Sequence, residues 1–113
     1  MGTFFRPITL IGPNGHETLG ALVDTDSMFA RFPATILEGL GVQPLDRRRF
    51  HGSFVGQAEA FLRGQQAHIM VLFGAEGDQP VIGRHTLDSF LLDVDEKSGK
   101  LVAKILLIIE HAY

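Results

Sequence analysis

Short apolar segments alternate with turn signals along this sequence, and that alternation constrains the fold more than any other feature. Clusters of Gly, Pro, Asn and Asp interrupt the chain often enough to leave segments of strand length between them. The clearest turn signals lie at residues 12–15, 63–66, 74–79 and 96–99. Strands are predicted at residues 4–11, 16–23, 29–32, 81–82, 91–94 and 100–109. Residues 42–73 are also predicted as strands, with turns at residues 50–54 and 63–66 and a buried strand at residues 67–73. Many short strands with regular turns indicate a small sandwich or barrel.

Helical signals are confined to two short stretches. Residues 33–40 begin with Pro33 at a favourable first helical position, and Gly41 stands where a left-handed C-terminal cap is expected. Residues 84–90 suit a turn or two of helix. The sequence therefore predicts one all-β domain over residues 1–113, with one or two short helices.

Composition excludes several classes of function. The chain has no cysteine, which rules out disulfides, thiolate metal sites and cysteine nucleophiles. Its five histidines are scattered without metal-ligand spacing, so we expect no metal and no other cofactor. The net charge is −3, and the arginine run at residues 47–49 is short enough to be a solvated strand or turn. No nucleic-acid partner is expected.

No segment suggests a membrane or a secretory route. The amino terminus lacks a basic region followed by a long apolar stretch. The apolar run at residues 105–109 is far shorter than the roughly 20 residues that a membrane span needs. We therefore expect a cytoplasmic protein without membrane contact.

Three segments stand out for their residue types and their order. The first is Ala21-Leu22-Val23-Asp24-Thr25-Asp26-Ser27, followed by Phe32-Pro33 and by Leu40-Gly41-Val42. The second is Pro80-Val81-Ile82-Gly83-Arg84, with Leu87 close behind. The third is Leu92-Asp93-Val94-Asp95, before a turn and Leu101-Val102. Asp93 and Asp95 flank that hairpin and are expected to be solvated.

In this order the three segments resemble the retropepsin-like aspartic proteases. That family has an apolar strand followed by Asp-Thr/Ser-Gly-Ala, then a short helix that closes on Leu-Gly-Ile, and later an apolar-apolar-Gly-Arg segment. The resemblance implies a small closed β-barrel of the acid protease type and a homodimer that cuts peptide or protein substrates. It implies Asp24 as the catalytic residue. The implied active-site loop and dimer interface are Thr25, Asp26, Ser27 and Arg84, and the implied flap residues are His51, Gly52 and Ser53.

The chemistry of such a site explains why a dimer is needed. Peptide hydrolysis by two carboxylates requires one protonated and one ionised group, and close like charges enforce that division. A chain with one such motif supplies one acid, so two subunits must meet at Asp24. Thr25 would tie the two loops together, and Arg84 would pair with a carboxylate near the loop. Residues 4–11 and 100–109 are candidates for a sheet between subunits, since an apolar final strand is a poor exposed edge.

The sequence departs from the family pattern at three places. Asp26 stands where the family has glycine, which brings a second negative charge per subunit to the axis. Met28 replaces an acid that some relatives use to hold the arginine, and Asp26 is a candidate to take over that role. The flap hairpin predicted at residues 47–56 is short, which weakens the exclusion of water.

Three hypotheses remain open on the sequence alone. The first is a homodimeric aspartic endopeptidase, with an activity that Asp26 and the short flap reduce or abolish. The second is an inactive dimer of the same fold that binds peptide or serves as a structural module. The third is an unrelated small β-barrel. No residue pattern names a substrate, a cleavage preference or a physiological role.

Overall fold

Nine strands and two short helices follow one another in a computed structural model that describes residues 4–50 and 52–104, with the backbone alone for residues 46–50. They are β1 (Phe4–Gly12), β2 (Gly15–Val23), β3 (Ala30–Pro33), α1 (Ala34–Gly39), β4 (Pro44–Phe50), β5 (Ser53–Leu62), β6 (Gln65–Gly74), β7 (Val81–Ile82), α2 (Arg84–Ser89), β8 (Leu92–Asp95) and β9 (Lys100–Ala103). The prediction of an all-β chain with short helices is confirmed.

Seven of these strands form one sheet in the order β1-β2-β7-β3-β6-β5-β4. A further antiparallel pairing joins β1 to β5 at residues 9–11, so six of the strands pair in a closed ring. Strand β4 lies outside that ring and extends β5 at its other end. Strands β8 and β9 form a separate antiparallel pair. Closing the ring leaves few unpaired strand edges, which protects a small sheet protein from edge-to-edge association.

Tight hairpins at the predicted turns set the register of the long strands. Strands β1 and β2 pair from Phe4↔Val23 to Gly12↔Gly15, and β5 and β6 pair up to Leu62↔Gln65. In the second hairpin the two turn residues both have left-handed backbones, with φ values of 52° at Arg63 and 77° at Gly64. This is the geometry that matches the right-handed twist of the paired strands.

The interior of the ring is filled by apolar side chains from the strands and both helices. Strand residues alternate between the two faces, as Ile8 and Leu10 of β1 show by being fully buried. Leu37 of α1 and Leu87 of α2 are also fully buried, so each helix contributes to the same apolar core. Phe32 and Phe90 are the largest side chains without exposure, in line with phenylalanine acting as core filler.

Helix α1 is set against the β1–β2 turn by close backbone approach. The N–H of Asn14 donates to the carbonyl of Leu40 at 3.0 Å, and a Cβ at Gly12 would lie 2.2 Å from that same oxygen. Gly41 has a φ of 84°, which confirms the left-handed cap. Pro33 is the last residue of β3 rather than the first of the helix, because its extended backbone still pairs with Gly74.

The predicted flap is a longer hairpin than the sequence suggested. Strands β4 and β5 pair at Phe50↔Ser53, and the register shifts between Pro44 and Arg49. Gly52, at the tip, is exposed and has a φ of 82°. His51 lies outside the described residues.

The terminal strands agree with the sequence in part. Strand β1 has its other edge unpaired from residue 4 to residue 8 within the described part of the chain. The final strand was predicted at residues 100–109, but β9 ends at Ala103, and residues 105–109 lie outside the described range. Neither strand is seen against a second subunit, so the intersubunit sheet stays a prediction.

Candidate active site

Asp24 is the first residue after β2, on a loop formed by residues 24–29 that we call the aspartate loop. The parallel pairing of β2 with β7 continues into this loop, because the N–H of Asp24 donates to the carbonyl of Ile82 at 3.0 Å. Val23 is fully buried, whereas Asp24 is half-buried. An apolar strand thus delivers a carboxylate to the boundary between core and solvent.

The Asp24 carboxylate is held by hydrogen bonds at both oxygens. The backbone N–H of Asp26 donates to Oδ1 at 3.0 Å, and the Ser27 hydroxyl donates to Oδ2 at 3.0 Å. The Ser27 N–H also donates to the Asp24 carbonyl at 3.2 Å, which closes the turn. These contacts fix the orientation of the carboxylate before any ligand arrives.

Asp26 makes the backbone contact that a glycine would make at this position. Its N–H reaches Asp24, and its φ is not positive, since the described non-glycine residues with positive φ are Arg63 and Leu91. An L-residue therefore fits here without the strain of a left-handed backbone. The Asp26 residue is exposed to solvent.

The aspartate loop rests on the segment that joins β7 to α2. The N–H of Arg84 donates to the carbonyl of Ser27 at 2.7 Å, and the N–H of His85 donates to that of Met28 at 2.8 Å. Gly83 permits this approach, because a Cβ there would lie 2.6 Å from the Phe29 carbonyl oxygen. The first two sequence motifs therefore meet through their backbones.

Arg84 holds an aspartate, but not the one that the sequence suggested. Its Nη1 lies 3.0 Å from Oδ1 of Asp93, with side chains that are 40% and 30% exposed respectively. The same oxygen accepts the N–H of Val94 at 2.8 Å. The hypothesis that Asp26 pairs with Arg84 is therefore wrong, and so is the expectation that Asp93 is simply solvated. The pair links α2 to β8 and joins the second motif to the third.

A cleft of about 380 Å³ opens beside the aspartate loop. It is lined by Asp26, Ser27, Met28, Phe29, Arg31, Leu72 and Val81. Its wall includes Ser27, which bonds the Asp24 carboxylate directly. The cleft is therefore placed to hold a ligand next to the carboxylate.

One hydrogen bond links the flap hairpin to this cleft. Nη1 of Arg31, on β3, donates to the Ser53 hydroxyl at 3.2 Å. Ser53 is half-buried at the start of β5, one residue from the exposed Gly52. Of the three predicted flap residues, Ser53 therefore reaches the site, Gly52 lies at the tip, and His51 lies outside the described residues.

Thr25 and Ser27 differ in how their hydroxyls are used. The Ser27 hydroxyl binds Asp24, whereas the half-buried Thr25 side chain makes no hydrogen bond within the part of the chain that the structure describes. The sequence placed both residues in the loop but gave Ser27 no contact. An Asp followed three residues later by Ser is a common local capping pattern and was the available signal. Nothing in the sequence indicated Arg31, which reaches the cleft from another strand.

Metal-binding clusters and membrane-spanning helices are both absent from residues 4–50 and 52–104. Within these residues no group of three or more His, Asp or Glu side chains is arranged to hold a metal ion. Among them there is also no helix with the length and apolarity to cross a membrane.

Comparisons with known proteins give a structural match without a sequence match. No protein-family model matches the chain, and no curated protein matches it. EIAV protease complexed with the inhibitor HBY-793 superposes with a TM-score of 0.55 at 16% identity, over 88% of this chain and 92% of that one. A retropepsin-like aspartic protease from Rickettsia conorii gives 0.55 at 16%, over 84% of this chain and 89% of that one. The chain therefore shares its fold with retropepsin-like aspartic proteases.

Proposed function

We propose that this protein is an aspartic endopeptidase that works as a homodimer, with Asp24 of each subunit as the catalytic acid–base pair. The observation that carries the proposal is the fixed Asp24 carboxylate, which is hydrogen-bonded at both oxygens and belongs to a loop whose residues 26–29 line a cleft. The shared fold with known retropepsin-like proteases supports the same reading.

The reaction requires two carboxylates in different protonation states. The ionised one takes a proton from a water molecule held between them, while the protonated one donates to the oxygen of the peptide carbonyl. The water oxygen bonds to the carbonyl carbon and gives a tetrahedral intermediate. Transfer of a proton to the amide nitrogen then lets the C–N bond break. Two adjacent acids titrate as one unit, so the protonated and the ionised carboxyl are not assigned to particular subunits.

The dimer is proposed because one subunit offers one such carboxylate. Asp26 is exposed and donates its backbone N–H to the Asp24 carboxylate, so its own carboxylate is not positioned as the second acid of the catalytic pair. The Thr25 hydroxyl, which has no hydrogen bond within the described residues, is available to a second aspartate loop across a two-fold axis. Met28 and Phe5 are 51% and 57% exposed, so a second subunit that covered the aspartate loop and β1 would bury apolar surface.

A second candidate is a dimer of the same fold that binds peptides without cutting them. Asp26 favours this candidate, because in a dimer its charge would be repeated on both sides of the axis, close to the two Asp24 carboxylates. Repulsion among four nearby acids opposes both close approach and the retention of a single ionised carboxylate.

Cleavage of a denatured protein substrate across mildly acidic to neutral pH tests the proposal. We expect the wild type to cleave and Asp24→Asn to lose at least about a thousandfold of the rate, since the pair then has a single carboxyl. Asp95→Asn, at an aspartate of the β8–β9 hairpin that accepts the Lys97 N–H, is the matched control and should retain activity. Cleavage that survives Asp24→Asn would contradict the proposal.

Mixing the subunits separates a dimeric active site from a monomeric one. Excess Asp24→Asn subunits added to a fixed amount of wild type should suppress cleavage, because most wild-type chains then sit in mixed dimers. A monomeric enzyme would keep its full activity. Asp26→Gly distinguishes the two candidates: a wild type that binds but does not cut, beside an Asp26→Gly variant that cuts, would favour the binding module.

A further inference from the structure

We propose that Arg31 makes this cleft selective for substrates that place an acidic side chain next to the cleaved bond. The inference rests on the proposed function, because it names the substrate class of the same site. Arg31 would act as a specificity-determining residue and takes no part in the bond-breaking step.

Arg31 lies in the wall of the cleft on a rigid element. It belongs to β3, where it pairs with Leu72 of β6 and with Val81 of β7, two further lining residues. Its stem passes over Gly74, where a Cβ would lie 3.0 Å from its Cγ. The half-buried side chain lines the cleft, and its Nη1 donates to the Ser53 hydroxyl of the flap hairpin.

The positive charge of Arg31 has no acidic partner among the described residues. The ion pairs found there are Arg84 with Asp93 and Lys104 with Asp88, and the polar contact of Arg31 is the neutral Ser53 hydroxyl. A guanidinium bonded to one hydroxyl keeps most of its N–H donors free, in a planar arrangement that matches a carboxylate. Met28, Leu72 and Val81 supply an apolar part of the cleft wall, and a pair formed against that wall is less screened than one in open solvent.

Asp26 also lines the cleft, but it does not cancel the charge of Arg31. Asp26 is exposed, so water screens its carboxylate, whereas Arg31 is half-buried between strands. No hydrogen bond or ion pair joins these two described side chains. Asp78 is the other acid close to Arg31, since its Oδ2 would lie 3.1 Å from the same Gly74 Cβ, but that oxygen accepts the Ala75 N–H and forms no ion pair with Arg31. The guanidinium is therefore free to pair with an acidic group of a ligand.

The test begins by mapping the bonds that the wild type cleaves in a denatured protein, using mass spectrometry. Peptides of one cleaved sequence are then made with Glu or Gln at each position flanking the bond. At one position we expect kcat/KM to be about tenfold higher with Glu, the difference that one charge-assisted hydrogen bond makes. The preference should fall with added salt and disappear below about pH 4, where the peptide glutamate is protonated.

Variants separate the charge of Arg31 from its structural contacts. Arg31→Gln should abolish the Glu preference, Arg31→Lys should keep part of it, and Arg31→Glu should reverse it toward a Lys peptide. Ser53→Ala removes the bond to the flap but not the charge, so its Glu-to-Gln ratio should match that of the wild type. Thermal unfolding verifies that each variant is folded. A ratio unchanged in Arg31→Gln, or equal for Glu and Gln in the wild type, would overturn the inference.

A binding measurement keeps this outcome distinct from failure of the proposed function. Fluorescent peptides rich in Ala, Leu and Phe, with a central Glu or Gln, are titrated into the wild type and into Arg31→Gln. If the wild type cuts nothing but binds the Glu peptide about tenfold more tightly through Arg31, the protease proposal fails and the Arg31 inference holds. If the wild type cleaves peptides without a preference for Glu, the protease proposal holds and the Arg31 inference fails. Absence of both binding and cleavage overturns the inference.

Discussion

Two loops of equal length, residues 24–29 and residues 75–80, each join a long strand to a short one that leads into a helix. Both contain an aspartate that accepts a local backbone N–H: Asp24 from Asp26 at 3.0 Å, and Asp78 from Ala75 at 2.8 Å. Both loops also take part in the pairing of β2 with β7, through Asp24 N–H to Ile82 and through Leu22 N–H to Pro80. Among the described residues, the aspartate loop alone accepts two further backbone bonds, from Arg84 and His85, whereas the other long-range bond of the second loop is the exposed side-chain contact of Glu76 with Thr35. Local turn chemistry is therefore enough to hold an aspartate within a loop. The additional backbone bonds to Arg84 and His85 are what fix residues 24–29 in place.

The largest expected difference in stability is between substitutions at two glycines, Gly83, which contacts the aspartate loop, and Gly77, which lies in the second loop. Gly83→Ala should destabilise the protein by about 2–3 kcal/mol, because its Cβ would lie within 2.9 Å of three backbone atoms of the aspartate loop. Gly77→Ala, in open space but at a φ of 86°, should cost about 1 kcal/mol from backbone strain alone. Denaturant unfolding measures both values. Equal costs would show that the aspartate loop is no better anchored than its counterpart.

The two loops also offer a matched pair of hydroxyl-to-carboxylate hydrogen bonds. Ser27→Ala removes the part-buried bond to Asp24 and should lower kcat/KM about tenfold, since the carboxylate loses part of its orientation. Thr35→Ala removes an exposed 2.7 Å bond to Glu76 and should leave cleavage unchanged. Steady-state kinetics on one peptide would decide. A similar loss in both variants would mean that Ser27 acts through general stability.

A smaller effect is expected at the ion pair that supports the anchoring segment. Arg84→Gln and Asp93→Asn should each cost about 0.5–1 kcal/mol, because both side chains are partly exposed and the pair is screened. Asp95→Asn, at a hairpin aspartate that accepts the N–H of Lys97, is the control. A double-mutant cycle should give a coupling of about 0.5 kcal/mol. A cycle without coupling would show that the Arg84–Asp93 ion pair does not stabilise the segment that anchors the aspartate loop.

The smallest effect is expected at the far end of α2, where Asp88 pairs with Lys104 at 2.7 Å. The hydrogen bond from Lys104 and, to a lesser extent, the positive charge of Lys104 lower the pKa of Asp88 from the ordinary value of 3.8. A carboxylate with a lowered folded pKa stabilises the protein at pH values above 3.8, and that contribution is lost as the pH falls through the folded pKa.

Because Asp88 is 44% exposed, solvent screening limits this contribution to at most about 0.5 kcal/mol. Asp88→Asn should therefore lower stability slightly at pH 7 and leave it unchanged at pH 2. Unfolding curves at the two pH values would reveal it. A cost that persisted at pH 2 would point to packing rather than charge.

The sequence by itself determined the strands, the turns and the chemical character of the aspartate loop. Period-two apolar patterns and glycine-rich turns are local properties, so residues 12–15, 63–66 and the cap at Gly41 were predictable from the residues alone. Asp24 after an apolar strand was visible for the same reason, although its catalytic role remains a proposal. The order of the three motifs indicated the fold.

Only the tertiary structure decided which of these residues touch. Arg84 pairs with Asp93 and not with Asp26, because the backbone path from β7 into α2 directs its side chain toward β8. Arg31 joins the cleft because β3 lies between β7 and β6, an order that no local pattern encodes. Contacts between distant segments depend on how the sheet closes, and closure is a property of the whole chain rather than of any one stretch.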